Sequence, residues 1–308
     1  MVKNATLVVN IASFSCKIQL LTVLYRKIQL LAVLPGGSIA MGKRNTKWSY
    51  RTYLRFLKNG RGKGDLGDYK PWITIHDFPS KGKVARILGK KTNRIHHLMS
   101  QLEKTYFLIL DNDPLVEDIK EQFPLPLDMT QLIAARMGIK HPCVNGFSYV
   151  MTTDFMVKRD GVWQAIQIKT SKDAEKDRVK EKFAIEKAYY KMTGVGWSLL
   201  TEKDLPPTVA GNYLWLNAGE SFERLVSNPG KRIRMKLAFL ELYRDYTIPF
   251  RTILATMDDI CAVRAGTTMQ LFKSCILGGE IAFNPFEPVS LEEPRMVGYG
   301  IGREQYGW

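Results

Sequence analysis

The sequence has few cysteines, no long apolar run and no acidic residue among positions 1–40. Its cysteines lie far apart and form no CxxC pair, which argues against both a disulfide framework and a zinc site; they are Cys16, Cys143, Cys261 and Cys275. We therefore predict reduced thiols in a cytoplasmic protein. No uninterrupted apolar run approaches the roughly 18 residues that a membrane-spanning helix needs. We expect no membrane partner.

The first forty residues differ in composition from the rest of the chain. The segment 17–24 (KIQLLTVL) returns almost unchanged at 27–34 (KIQLLAVL), and two copies are too few for a solenoid. A tandem repeat in upstream DNA would give this pattern if it were translated. We predict that 1–40 is a non-native or disordered extension and that Met41 is the natural start. The alternative is an amphipathic arm that binds a partner.

Basic residues outnumber acidic ones by a wide margin. The chain has 45 Lys and Arg against 30 Asp and Glu, and such an excess is typical of proteins that bind nucleic acid. Two stretches, 43–63 and 81–94, contain basic residues and no acid. A solvated basic face is the alternative, but two consecutive stretches favour contact with double-stranded DNA. The predicted DNA-binding residues are Arg51, Arg55, Lys58, Arg61, Lys63, Lys81, Lys83 and Arg94.

The segment Gly62–Gly67 matches the pattern G-x-G-x-x-G by chance. A dinucleotide site needs a strand before this pattern and a helix that opens within it. Here a basic helical segment precedes it and Tyr69-Lys70-Pro71-Trp72 follows. We therefore expect no nicotinamide or flavin cofactor, and we predict a flexible glycine-rich loop beside DNA.

Alternating residues predict a β-hairpin in the middle of the chain. Apolar side chains alternate over 149–157 and again over 162–169. Asp160-Gly161 between them is a typical two-residue hairpin turn. The hairpin would place residues that are distant in sequence on one surface of a sheet.

The register of this hairpin gathers polar side chains. If Arg159 pairs with Val162, Asp154 lies opposite Gln167, and Lys169 shares their face because side chains repeat with period two. The other face would be buried against a core by Phe155, Val157, Ile166 and Ile168.

Two predicted helices carry further carboxylates. His97–Leu110 is predicted to be helical and includes Glu103. Glu175–Met192 is predicted to be helical and to end at the cap residue Gly194. Its apolar stripe contains Glu186, and a carboxylate that faces a core needs a partner.

Glu103, Asp154, Gln167 and Lys169 have the layout of a metal-dependent nuclease site. Oxygen ligands of this kind suit Mg²⁺, which takes only one or two carboxylates and keeps several waters. The ion would polarise a phosphodiester and acidify its bound water. The lysine would orient that water or stabilise charge on the phosphorus. By its spacing alone, the pattern from Asp154 to Lys169 would more often be structural.

At these residues the chain resembles the TnsA endonuclease family, whose members cut the 5′ ends of Tns-type transposons. The resemblance runs from about Lys58 to Asp204 and includes several blocks in the right order: Gly60-Arg61-Gly62, Pro71-Trp72, His96-His97-Leu98, Leu102-Glu103, 121–125 (EQFPL), 138–142 (GIKHP), 151–155 (MTTDF) and 165–169 (AIQIK). The family's amino-terminal domain is similar to type II restriction endonucleases. The resemblance therefore implies an α/β restriction-endonuclease-like core, with a mixed central sheet flanked by helices.

The resemblance also implies roles for individual residues. The metal ligands would be Glu103, Asp154 and Gln167 with the carbonyl of Ile168, and two Mg²⁺ ions would bind. Lys169 would be the catalytic lysine, and Glu186 matches a further acidic position of the catalytic set. His96 and His97 also match the family, and we assign them a structural or DNA-contact role without metal ligation.

The carboxyl half is predicted to be a separate, mainly helical domain. Helices are predicted at 219–228, 231–246, 250–263 and 266–277, and a short strand at Glu280–Phe283. This order suggests a winged-helix-like α+β domain over 206–290, after a catalytic domain at 41–205 that carries the basic arm. The segment 266–277 has Lys273 as its only basic residue, which favours protein contact over base readout. The tail 291–308 is predicted to be flexible.

The resemblance implies a Mg²⁺-dependent endonuclease subunit that hydrolyses the 5′, non-transferred strand at transposon ends. Its partners would be the TnsB transposase and the AAA+ regulator TnsC, the latter bound through the carboxyl-terminal domain. One alternative is a stand-alone restriction-type endonuclease or junction resolvase. The other is a DNA-binding transposition regulator without catalysis.

Overall fold

The computed structural model describes residues 48–77, 83–144, 146–244, 248–289 and 291. Its amino-terminal elements are α1 (Tyr50–Lys58), a 3-10 turn (Leu66–Asp68), β1 (Ala85–Leu88), β2 (Ile95–Leu98), α2 (Gln101–Asn112), β3 (Val116–Pro124), α3 (Leu127–Arg136), β4 (Cys143–Val144) and β5 (Phe147–Ser148). The following elements are β6 (Thr152–Arg159), β7 (Val162–Ile168), α4 (Ser171–Ala174), α5 (Asp177–Thr193), β8 (Gly196–Leu200), α6 (Pro207–Leu216), α7 (Phe222–Leu225), α8 (Pro229–Arg244), α9 (Phe250–Ile260) and α10 (Thr267–Leu277).

A mixed sheet of four strands, in the order β3-β6-β7-β8, forms the centre of the amino-terminal part. The pairs β3-β6 and β6-β7 are antiparallel, and β7-β8 is parallel. The predicted hairpin is confirmed, because Arg159 pairs with Val162 and Phe155 with Ile166. Asp160 and Gly161 have φ angles of 48° and 77°. These left-handed angles are what a two-residue turn of type I′ requires.

Helices cover both faces of this sheet. Phe155 and Ile166 pack with Phe107 of α2 in one apolar cluster. Met156 and Ala165 pack with Tyr190 of α5 in another. The predicted mixed sheet flanked by helices is therefore confirmed. Side chains on both faces of the strands are buried, because each face of the sheet packs against a helix.

The predicted start of the helix at His97 is wrong. Residues Ile95–Leu98 form strand β2, and α2 begins at Gln101 after the cap residue Ser100. The Ser100 hydroxyl accepts a hydrogen bond from the Glu103 amide at 3.1 Å, which fixes the helix start at this point. The second predicted helix begins at Asp177, two residues later than expected, and ends at Gly194 with a φ of 72° as expected.

The glycine-rich loop 62–67 closely approaches other protein atoms at two of its glycines, and its flexibility stays a prediction. A Cβ atom on Gly62 would lie 2.3 Å from Cγ of Pro124. A Cβ atom on Gly64 would lie 2.5 Å from the carbonyl oxygen of Asp68. The glycines are therefore needed for close approach to neighbouring protein atoms.

The carboxyl-terminal part is helical, as predicted, but two details differ. The helix α6 lies where the sequence suggested only a boundary, and residues 280–283 form no strand. Ile281 and Phe283 are instead buried in the apolar cluster of the neighbouring helices. In the part of the chain that the structure describes, the expected wing is thus not formed, and the winged-helix assignment remains a prediction.

One apolar cluster extends across the predicted boundary between 205 and 206. It contains Phe107 and Ile166 from the amino-terminal part, and Val209, Phe239 and Leu271 from the helical carboxyl-terminal part. Cys275 is buried in it and Cys261 packs against it. None of the helices in the described ranges is long and apolar enough to cross a membrane. The predictions for 1–40 and 292–308 lie outside the described residues.

Candidate active site at the centre of the sheet

Asp154 of β6 lies between a glutamine from each neighbouring strand. Its Oδ1 accepts a hydrogen bond from Nε2 of Gln122 at 3.2 Å, and its Oδ2 accepts one from the amide of Ile168 at 2.8 Å. The amide of Asp154 in turn donates to Oε1 of Gln167 at 3.1 Å. Three of the predicted site residues, Asp154, Gln167 and Ile168, are therefore brought into direct contact.

Gln122 is a residue of this site that the sequence analysis missed. It is buried in β3 and has a φ of 49°, a left-handed angle that non-glycine residues rarely adopt. Such a conformation costs about 1–3 kcal/mol and persists where the surroundings enforce it. Finding this residue requires the pairing of β3 with β6, which joins segments more than thirty residues apart.

Glu103 holds the start of α2 and places its carboxylate near the site. Its Oε2 accepts a hydrogen bond from the amide of Met99 at 2.8 Å. Together with the bond from the Glu103 amide to Ser100, this makes a reciprocal cap resembling a capping box. Burial and, to a smaller extent, the charge of Asp154 together raise the pKa of Glu103 to about 8.

Glu186 of α5 approaches the site from another helix. Its Oε1 accepts a hydrogen bond from the Thr153 hydroxyl at 2.6 Å, and the same hydroxyl lies 2.8 Å from the phenol oxygen of Tyr190. Burial raises the pKa of Glu186 to about 8, with a smaller contribution from Asp154. The prediction that its carboxylate faces inward is confirmed.

Lys169 is the cation of this cluster. Its ammonium charge lowers the pKa of Glu103, Asp154 and Glu186. One positive charge cannot compensate three carboxylates, and burial still leaves the pKa of Asp154 above its ordinary value. The site therefore has more buried acid than cation. Clusters of this kind favour a bound cation or retain protons.

The donor atoms of the site fit a hard divalent cation. Asp154 and Glu103 supply carboxylates, and Gln167 supplies an amide oxygen, which are ligands that Mg²⁺ accepts. Within the described ranges no group of three or more His, Cys, Asp and Glu side chains is placed to hold a metal. A magnesium site of the predicted kind needs only two acids, because water and amide or carbonyl oxygens complete it. Each bonded oxygen also keeps a second lone pair.

Two of the predicted DNA-binding arginines are occupied inside the protein. Arg61 bonds to Asp77 at 2.6 Å and lies over the ring of Phe56 at 3.7 Å. Arg94 bonds to the buried Glu121 at 2.5 Å. The other predicted contacts in the described part are exposed, whereas Lys81 lies outside it; the exposed residues are Arg51, Arg55, Lys58, Lys63 and Lys83.

The histidines of β2 belong to the packing of the sheet. Nδ1 of His96 lies 2.8 Å from Oε2 of Glu121, and Nε2 lies 2.7 Å from the Thr92 hydroxyl. His97 points elsewhere, and its ring centre lies 6.0 Å from that of His76. The contacts of His96 agree with the structural role that we predicted.

The central mixed sheet, the flanking helices and the cluster of buried acids form an α/β domain that can be compared with known proteins. Residues 113–202 match the family model of the TnsA-like endonuclease N-terminal domain, and this stretch contains Asp154, Gln167, Lys169 and Glu186. The family resemblance found in the sequence is thus confirmed.

A curated relative extends the match beyond that domain. The chain is 41% identical over 179 residues to the Transposon Tn7 transposition protein TnsA of Escherichia coli. The aligned segment covers 57% of this chain and 66% of that protein, slightly less than two thirds of its length.

Proposed function

We propose that this protein is the endonuclease subunit of a transposition system and hydrolyses the 5′, non-transferred strand at each transposon end. The observation that carries the proposal is the excess of buried acid around Asp154, within a domain of the TnsA-like endonuclease type. The relative's name adds the context of transposition. A clustered, desolvated set of acids with one lysine is typical of a site that binds cations.

In the proposed site, Asp154, Glu103, Gln167 and the carbonyl of Ile168 would hold Mg²⁺. The bound metal would polarise the scissile phosphodiester and lower the pKa of its water. Lys169 would stabilise negative charge on the phosphoryl oxygens or orient the attacking water. Glu186, whose Oε1 accepts a hydrogen bond from the Thr153 hydroxyl at 2.6 Å, would be a further acidic residue of the site.

We infer the binding partners of this protein from the family resemblance and from its charge distribution. Double-stranded DNA at the transposon ends would bind the exposed cations of the amino-terminal part. The transposase TnsB and the AAA+ regulator TnsC would be protein partners, with TnsC bound by the carboxyl-terminal part. Lys273, the basic residue of α10, is buried and donates to the carbonyl of Ala218 at 3.1 Å. It is therefore placed for packing within the protein, which supports protein contact over base readout by this helix.

Reconstituted transposition with strand mapping tests the proposal. Asp154→Asn should leave 3′-end joining intact but reduce 5′-strand cutting by more than about 100-fold. The loss of a residue that only orients a metal ligand costs up to about that much, and Asp154 would be a ligand itself. Products would remain joined to donor DNA. Asp160→Asn is the matched control, because it makes the same change in the turn of the same hairpin and should cut like wild type.

Two outcomes would replace the proposal with the alternatives from the sequence. If Asp154→Asn cuts 5′ ends at the wild-type rate, the site is not catalytic and a regulatory role takes over. If the purified chain alone cuts DNA efficiently without the other transposition proteins, a stand-alone restriction-type endonuclease or resolvase fits better.

A further inference from the structure

Gln122 has a backbone conformation that a regular strand does not require. Its neighbours are paired normally, Glu121 with Phe155 and Phe123 with Thr153, yet its φ of 49° lies in the left-handed region. Its carbonyl oxygen accepts a hydrogen bond from the amide of Trp72 at 3.2 Å. The local structure therefore holds Gln122 in a strained conformation, which turns its side chain away from the direction that an extended residue would give it.

Its amide group has one orientation that satisfies all neighbours. The Thr152 hydroxyl donates to Oε1 of Gln122 at 3.0 Å, and Nε2 donates to Oδ1 of Asp154 at 3.2 Å. In the flipped orientation, Oε1 would face the carboxylate oxygen without a hydrogen between them. Thr152 therefore directs the donor of Gln122 toward Asp154.

The carboxylate of Asp154 is thereby held from two sides. The Ile168 amide fixes Oδ2 and Gln122 fixes Oδ1. The torsion that rotates a carboxylate is broad, so the loss of one donor would let the group turn. Backbone strain that is retained beside a functional group points to positioning of that group.

We propose that Gln122 is a positioning residue of the candidate active site, whose side-chain amide holds the Asp154 carboxylate in the orientation in which it binds a divalent cation. This inference rests on the proposed function. Outer-sphere partners that orient a metal-binding carboxylate change metal affinity or activity by about 10- to 100-fold.

Magnesium titration of the full-length chain, followed by the rise in Tm, tests this role without DNA cleavage. Gln122→Met keeps the length of the side chain but removes the donor, and Gln122→Asn keeps an amide that is one methylene too short. Asn also tolerates left-handed angles, so this variant preserves the fold. Gln164→Met is the matched control, because Gln164 lies in β7 and donates to Ser198 at 3.2 Å, away from Asp154.

We expect both Gln122 variants to need about 10- to 100-fold more Mg²⁺ for the same rise in Tm, with the Tm in EDTA close to wild type for Gln122→Asn. In 5′-strand cutting, kcat should fall while KM for DNA stays within about twofold, since DNA contacts are intact. Gln164→Met should match wild type in both assays. Wild-type Mg²⁺ affinity in Gln122→Asn overturns the inference, whatever happens to Gln122→Met.

The same titration separates this inference from the proposed function. If wild type responds to Mg²⁺, Asp154→Asn does not, and the Gln122 variants respond like wild type, only the role of Gln122 is wrong. If neither wild type nor Asp154→Asn responds to Mg²⁺ and neither cuts DNA, the proposed function fails and the inference fails with it.

Discussion

The buried acid Glu121 and the buried acids around Asp154 lie at the same sheet and differ in their counter-charges. Glu121 of β3 receives both terminal nitrogens of Arg94, at 2.8 and 2.5 Å, and lies 2.8 Å from His96. These partners hold its pKa at about 2 in spite of burial. Around Asp154, in contrast, burial prevails over Lys169, the cation that acts on these acids within the described residues, and the pKa values of the acids are raised.

The difference between the two groups comes from the cations, because burial is similar. Glu121 and Glu186 are 1% and 2% exposed, yet their pKa values shift in opposite directions. A paired acid is part of the fold, since each charge is satisfied within the protein. An acid cluster that lacks positive charge costs stability and is retained where function needs it.

The largest expected effect is the loss of stability when Glu121, the acid paired with Arg94, loses its charge. Glu121→Gln leaves the guanidinium of Arg94, 8% exposed, without its anion, and breaking one side of a buried pair costs about 3–5 kcal/mol. Glu186→Gln is the matched change in the other group, and it should cost less than about 1 kcal/mol, because glutamine resembles the protonated acid. Urea unfolding at pH 7 in EDTA measures both. Equal losses would show that the two groups do not differ as described.

The hairpin that carries Asp154 could be predicted because its information is local. The turn Asp160-Gly161 and the alternation on either side fix the register, and the register places Gln167 beside Asp154. Glu186 could also be identified from the sequence, because its carboxylate interrupts the apolar stripe of a predicted helix. These features depend on residues that are close to one another in the sequence.

The partners supplied by β3 could not be predicted in the same way. Gln122 and Glu121 meet their partners only after β3 has paired with β6 and β2 has packed beside it, and no local pattern specifies those contacts. Arg94 is an example. It lies in a stretch without acidic residues, from which we predict a DNA contact, and its anionic partner Glu121 lies 27 positions further along the chain. The predicted strand at 280–283 is wrong for a similar reason. Ile281 and Phe283 are buried against the neighbouring helices and pair with no strand in the described ranges.

The pH dependence of stability sharpens the comparison with a smaller effect. The pKa of Glu186 is raised from 4.5 to about 8, so between these values the folded protein binds a proton that the unfolded chain has lost. Its contribution to stability therefore falls as pH rises from about 4.5 to 8. For Glu121, with a pKa lowered to about 2, the contribution is present above 4.5 and is lost as pH falls toward 2.

The melting temperature in EDTA at pH 5, 6.5 and 8 measures how the contribution of Glu186 to stability changes with pH. The decline in Tm with rising pH should be smaller in Glu186→Gln than in wild type, by a few degrees between the extremes. Saturating Mg²⁺ should reduce the decline in wild type, since the added positive charge favours the ionised acids. An unchanged slope in the variant would mean that Glu186 ionises normally in the folded protein.

The smallest expected effect extends the comparison from acids to cations. Arg51 and Lys58 are exposed on α1 and form no ion pair with any residue in the described ranges, whereas Arg61 is paired with Asp77. A double Arg51→Ala, Lys58→Ala variant should bind DNA a few-fold more weakly and lose up to about 0.9 from the salt slope for each phosphate contact. Arg61→Ala should lower Tm and leave the salt slope unchanged, since its charge is already compensated. Binding isotherms at several salt concentrations decide this, and an equal loss of slope in both variants would show that pairing with Asp77 does not withhold Arg61 from DNA.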